Sequence, residues 1–227
     1  MDIHMSLWTD LIGQLLHKDL LLWDHVVAAG VVFLILSVIA VTIKFGINLV
    51  PGPLQQLIEV VVEGLLGLLD DNLGERGRQY LPLIGTLAFF IFLSNFLGMV
   101  PFFSAATGNF NTTVACALIV FIYYNYQGLK EHGFGYLKHF LGPVSWMAPM
   151  MLPIEIVSHL ARPFSLAIRL FGNISGEHAV VLTFYGLFAW LLPMPMMAFG
   201  LFAAFLQTFV FILLSSLYVQ GAIAHDH

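Results

Sequence analysis

Apolar residues fall along this chain in long blocks, and polar ones gather at the joints between them. From Val26 to Ile43 the sequence reads VVAAGVVFLILSVIAVTI, closed by Lys44. A bilayer core takes about 20 apolar residues of helix to cross, so this block predicts a span over 26–43. VPGP at 50–53 then breaks the chain. Over 54–71 (LQQLIEVVVEGLLGLLDD) polar or small positions return every three or four residues, at Gln56, Glu59, Glu63, Gly67 and Asp70. That period is helical and predicts an interfacial helix with a narrow polar stripe. The stripe is acidic, which favours packing on protein over binding anionic lipid.

NLGERGRQ follows as a polar turn, and from Gln79 to Leu129 there is no Asp, Glu, Lys or Arg. That length suits two spans, over 81–103 and 112–127, joined by the turn-forming SAATGNFN at 104–111. A polar loop, GLKEHGFGYLKHFLGP, comes next. Two longer apolar stretches complete the chain, over 150–185 and 196–224, with PMP at 193–195 between them. Each exceeds what a perpendicular span requires, so a steep tilt is expected. The pattern predicts an all-α integral membrane protein of five to six helices, one membrane domain over 1–227, with the last two helices long and tilted.

Composition agrees. Of the 227 residues 59% are hydrophobic and only 9% charged, whereas a soluble domain carries roughly a quarter charged. The net charge is −5 and no basic run exists, so nucleic acid is not an expected partner. The single cysteine, Cys116, forms no intrachain disulfide. The N-terminal stretch is acidic and resembles neither a secretory signal nor a transit peptide. Lys44, Arg76, Arg78, Lys130 and Lys138 fall on one side of the layout, and the 104–111 hairpin has no Lys or Arg. The positive-inside rule makes the first side cytoplasmic, with the N-terminus outside and the C-terminus inside. Lys18 lies on the other side, among aspartates.

The 150–185 block is apolar but carries charge. On a wheel of about 100° per residue, taken from Glu155, the positions are about +40° for His159, −20° for Arg162, −40° for Arg169, 0° for Asn173 and +40° for Glu177. These side chains share a stripe about 80° wide over six turns. Ser165 sits at its edge and His178 on another face. An Arg at mid-membrane costs about 2.5–3.5 kcal/mol on insertion scales, so such a residue needs a partner, a cavity or another subunit. Arg162 has a plainer option, either snorkelling to the interface or pairing with Glu155. Arg169 has no short route to water. Asn173, one turn on, is placed to orient its guanidinium or a water. Gly172 and Gly176 would let another helix approach closely.

Gln207 is the one strongly polar side chain between Pro195 and Ser215, and it suits either a bond to a neighbouring helix or a channel role. Asn95 is read mainly as structural. His4, His17, His25, His225 and His227 are near the termini, and His132 and His139 are in the loop. Glu155, His159 and His178 invite a metal-site reading, but no HExxH or HxxEH occurs, the cysteine is remote and Arg169 repels a cation. No metal is expected. Neither a phosphate-binding Gly-Lys-Ser/Thr loop nor a nucleophile elbow is present, so no cofactor is expected, nor nucleotide hydrolysis by this chain itself.

RLFGN at 169–173, with Pro163-x-Ser165 and Glu155 before it, resembles subunit a of the F-type rotary ATP synthase. FLQTFVFILLSSLYVQGAIAHDH, NFLGMVP at 95–101 and PGPLQQLIE at 51–59 are similar to other segments of that family, in the same order. The resemblance implies a bacterial inner-membrane subunit whose last two helices form a tilted hairpin facing a ring of small hairpin c-type subunits. It implies peripheral-stalk b-type partners, an indirect link to the catalytic head and no covalent catalysis. It makes Arg169 essential for proton translocation, and places Glu155, Ser165, Asn173 and Gln207 on two offset proton half-channels; His159, whose imidazole titrates near neutral pH, suits a further relay or lining role.

The family has an acid or histidine nine residues after the arginine, here His178, and Glu177 precedes it. Seven residues before Gln207, where His or Glu is usual, stands Gly200. Glu177 and His178 are then expected to supply both groups, and which of them relays the proton is open. So is the coupling ion, H⁺ or Na⁺. Two other readings stand beside this one. A self-contained proton-coupled secondary transporter would often carry inverted repeats, which are not seen here. A membrane scaffold would tolerate neutralising Arg169.

Overall fold

The computed structural model describes residues 24–47, 51–100, 103–133, 148–187 and 193–223. Lys18, Lys138, His4, His17, His139, His225 and His227 lie outside the described residues. Those described are helical, without strands, in six α-helices and two 3₁₀ turns.

Helix α1, Asp24–Phe45, is apolar all round, with Asp24 in its first turn and Lys44 in its last. Both charges complement the helix dipole. Val32 is its one buried residue, and Phe33, Leu34, Val38 and Val41 are exposed. Helix α2, Pro53–Leu73, starts on a proline, which lacks the N–H that the first turn leaves unused. It stops at Gly74, whose φ of 63° suits a residue with no Cβ. The 3₁₀ turn Gly74–Gln79 then folds back on it. A Cβ on Gly77 would stand 2.8 Å from the Leu69 carbonyl, so this approach requires glycine. The acidic stripe of α2 stays open within this chain: Gln56, Glu59 and Glu63 are exposed, and only Asp70 is partly covered.

Helix α3 covers Leu81–Gly98, so it ends short of the 103 read from hydropathy. Two features account for the stop. A residue before proline is disfavoured in the α region, and Pro101 follows Val100. The chain also turns so tightly that a Cβ on Gly98 would overlap the Ala105 methyl. After the 3₁₀ turn Ala106–Gly108, helix α4 runs Phe110–His132. Asn109 caps it by accepting from the Asn111 N–H, and Gly133 (φ 55°) ends it. Helices α5, Ala148–Leu187, and α6, Pro193–Ile223, are 40 and 31 residues long. At about 1.5 Å per residue α5 is about 60 Å long, twice the roughly 30 Å hydrocarbon core. Pro153 and Pro163 lie within it, and the helix continues through both.

The core is built from α3, α4, α5 and α6, with Ile84, Leu87, Ile91, Val120, Tyr124, Leu166, Leu170, Phe211 and Val219 at its centre. Leu69 of α2 joins it from one side, and Asn72 donates to Ser216 Oγ of α6 at 3.2 Å. In lipid such contacts hold by close packing and hydrogen bonds rather than by escape from water. Two contacts mark opposite faces of the bundle. Arg76, after α2, pairs with Glu131 near the end of α4 at 2.5 Å. Ser104, in the hairpin, donates to Asp24 at the start of α1.

Candidate functional site

Helix α5 carries the polar stripe, and the fold splits it into two rims. Ser165, Arg169 and Asn173 are exposed, on the side of α5 that the rest of the chain leaves open. Gly172 and Gly176 are exposed too, and among the described residues no atom of another segment lies within 4 Å of where their Cβ atoms would stand. His159 and Glu177, on the +40° edge of the wheel, turn inward: His159 is buried and Glu177 half-buried. Glu155, Arg162 and His178 are also half-buried.

Among the described residues the one ion pair is Arg76–Glu131, so Arg169 has no counter-charge within them. One turn on, Asn173 Nδ2 donates to Gln207 Oε1 of α6 at 2.5 Å. Gln207 is only 3% exposed, and its Nε2 has no partner among the described residues. A buried amide N–H without an acceptor costs about 1–3 kcal/mol, which marks this spot for a water or a partner group. The structure thus brings Arg169, Asn173 and Gln207 together where α5 and α6 meet the open side.

Towards the Ser104 face, Glu177 is seated by shape. A Cβ on Gly200 would overlap Glu177 Oε1 outright and stand 2.5 Å from its Cδ and 2.9 Å from Met99 Cε. The glycine of α6 is the notch that the Glu177 carboxylate fills. Nearby, Asn95 Oδ1 accepts from Thr107 Oγ1 at 2.5 Å, and Ser94 Oγ accepts from the Thr107 N–H at 3.1 Å. Asn95 Nδ2 is buried without a partner among the described residues. These bonds pin the hairpin to α3.

Towards the Arg76 face, His159 Nε2 lies 2.9 Å from Asn125 Oδ1 and 3.3 Å from the Tyr124 hydroxyl, both on α4. Arg162 sits with its guanidinium carbon 5.7 Å from the centre of the Tyr218 ring of α6, a cation–π distance. Arg162 therefore rests on an aromatic face rather than in an ion pair with Glu155. Asn125, Tyr124, Tyr218 and Met99 had no recognisable signal in the sequence, because only helix packing brings them to the stripe. Among the described residues no group of three His, Cys, Asp or Glu is arranged to hold a metal.

Along α5, His159 precedes Arg169 by ten residues and Glu177 follows it by eight, or about 15 Å and 12 Å of axial rise. A permanent cation on the open side thus stands between two inward-turned titratable groups, one towards each face of the bundle.

The family model described as ATP synthase A chain matches residues 25–220. The chain is 45% identical over 204 residues to ATP synthase subunit a of Citrifermentans bemidjiense, covering 90% of this chain and 89% of that one. It is 49% identical over 203 residues to ATP synthase subunit a 1 of Syntrophotalea carbinolica, covering 89% and 87%. To ATP synthase subunit a of Trichlorobacter lovleyi it is 43% identical over 214 residues, covering 94% and 93%.

Proposed function

From the premise that the chain belongs to the ATP synthase A-chain family, we propose that it is the stator subunit that couples proton flow to rotation in the membrane sector of the synthase. In this reading it forms one membrane domain. A ring of small hairpin c-type subunits lies against the open side of α5, b-type subunits anchor it, and it meets the catalytic head only indirectly. The face carrying Lys44, Arg76 and Lys130 is cytoplasmic, by the positive-inside rule, and the membrane is the bacterial inner membrane. The chain performs no covalent chemistry. It moves protons between fixed groups.

The observation that carries this reading is Arg169, a cation on the side of α5 that this chain leaves open, with no counter-charge among the described residues. Its natural partner is an anion presented by another subunit. A guanidinium keeps its proton at any physiological pH. It therefore attracts a ring carboxylate, favours its ionised form and drives its proton off into the exit path, and it cannot carry that proton across itself. Asn173 and Gln207 hold the adjoining polar spot. Glu177 and His178 hand protons in from the Ser104 face, and His159 and Glu155 lead them out towards the Arg76 face. Ser165 lines the open side between. Each proton supplies about 2.3 kcal/mol per 100 mV of membrane potential.

Arg169→Ala in the assembled complex is expected to abolish proton-driven ATP synthesis. Synthesis at the normal rate in that variant would overturn the reading. A chain that instead transported protons when reconstituted alone would be a self-contained transporter.

A further inference from the structure

Towards the Ser104 face, α3, α5 and α6 close on one point, and a thioether shares it with a carboxylate. Gly200 of α6 makes the room. A Cβ placed there would overlap Glu177 Oε1 of α5, and would stand 2.5 Å from Glu177 Cδ and 2.9 Å from Met99 Cε. Two groups that crowd the same point are each other's neighbours, so the Met99 methyl walls one side of the notch that the carboxylate fills. Met99 is the residue that follows the last turn of α3. It is partly exposed, and Phe96 and Val100 beside it are exposed, so its sulfur lies near the end of the bundle and within reach of small solutes. A thioether fills an irregular gap well, and it is also the apolar group most readily converted into a polar one, by oxidation.

We infer that Met99 is an oxidation site, and that its sulfoxide, formed by a peroxide reaching the Ser104 face, switches off the Glu177 relay. The inference rests on the reading of Glu177 as a proton-entry group. The sulfur lone pair attacks one oxygen of hydrogen peroxide. The S–O bond forms as the O–O bond breaks, the departing hydroxide takes the proton left on the new S–O group, and water leaves. Sulfur loses two electrons and the peroxide gains them. The sulfoxide oxygen has no proton of its own and is a strong acceptor. It accepts from the O–H of a protonated Glu177 and offers an ionised one only repulsion, so a proton that reaches Glu177 is held there. A relay has to release what it takes up, so proton entry slows. A methionine sulfoxide reductase supplies two electrons, removes the oxygen as water and restores the thioether.

The test treats the complete synthase with hydrogen peroxide, measures sulfoxide at Met99 by peptide mass spectrometry, and records ATP synthesis in liposomes under an imposed proton gradient. Each protein is compared with its own untreated rate. Wild-type synthesis is expected to fall as Met99 is oxidised, on the order of tenfold at full conversion, and to recover with methionine sulfoxide reductase. Met99→Leu, a volume-conserving change, is expected to keep its untreated rate through the same treatment, which separates Met99 from every other oxidisable residue of the complex. If Met99→Leu does not assemble, recovery of the wild type against the Met99 sulfoxide remaining decides the matter. The inference is overturned if Met99 stays unoxidised while other methionines react, if its oxidation leaves the rate unchanged, or if Met99→Leu loses as much as the wild type. Glu177→Gln is measured alongside. If it is slow while Met99 oxidation has no effect, only the switch falls. If it runs at the wild-type rate, Glu177 is not the relay and the switch falls with that reading.

Discussion

The two inward-turned groups of α5 are held by opposite means. His159 is held by chemistry: an oriented amide oxygen at 2.9 Å, a hydroxyl at 3.3 Å and two aromatic edges. Glu177 is held by shape, in the space that Gly200 leaves empty and beside Met99. Among the described residues no ion pair reaches its carboxylate. A hydrogen bond at one ring nitrogen fixes the orientation of an imidazole and favours one tautomer. A carboxylate seated by shape, with no hydrogen bond to a described residue, leaves its oxygens to accept from water or a partner group. One inward group is placed by hydrogen bonds, the other by shape, and Arg169 stands between them.

This contrast can be broken at several points. The largest effect after loss of Arg169 itself belongs to the acid–base groups at the open notch. Glu177→Gln and His178→Ala, made separately, are expected to slow proton entry unequally. The relay residue loses on the order of a hundredfold in ATP synthesis driven from the Ser104 side. Equal, negligible losses in both would remove the entry path from this end of α5.

A smaller and more selective effect is expected from Gly200→Ala. The atoms its methyl would meet are the ends of the flexible Glu177 and Met99 side chains, so the fold survives while the carboxylate is displaced. Synthesis is expected to fall on the order of tenfold, with normal assembly. Adding Glu177→Asp, whose shorter chain clears the methyl, should restore part of the loss. An unchanged rate in Gly200→Ala would show that the notch does not place Glu177.

The smallest effect is expected at the Arg76–Glu131 pair, which lies outside the stripe and is solvent-exposed on the arginine side. Exposed ion pairs contribute little, so Arg76→Ala should leave assembly and coupling as they were, and a clear loss of either would mean that this face does more than close the bundle.

Much of this arrangement is legible in the chain. The six described helices follow from apolar run lengths and from Gly and Pro at the joints, because a lipid environment leaves the backbone few alternatives. The stripe follows from 3.6-residue periodicity, and Arg169 stands out because charge in lipid is costly. Hydropathy misplaces the end of α3, since the residues after Gly98 stay apolar while Pro101 and the close approach of Ala105 end the helix. The division of the stripe into an open and an inward rim is not legible, because an 80° sector does not say which neighbour each edge meets. Gln207 was open between two roles, and its bond to Asn173 shows the first of them, a link to a neighbouring helix. Asn125 and Tyr124 carry no signal at all, being ordinary polar residues near the end of a span until α5 packs against them. Gly200 is visible only as something missing, and its meaning comes from the side chain that occupies its place.

The central claim is that Arg169 both engages a ring carboxylate and keeps the two proton paths apart. The most direct measurement records ATP synthesis and passive proton flux together, in vesicles holding the complete complex with Arg169→Ala. The account predicts that synthesis is lost while protons still cross the membrane sector, since the barrier between the paths is gone and the ring no longer has to turn. Retained coupled synthesis, with flux and rotation still tied, would contradict it.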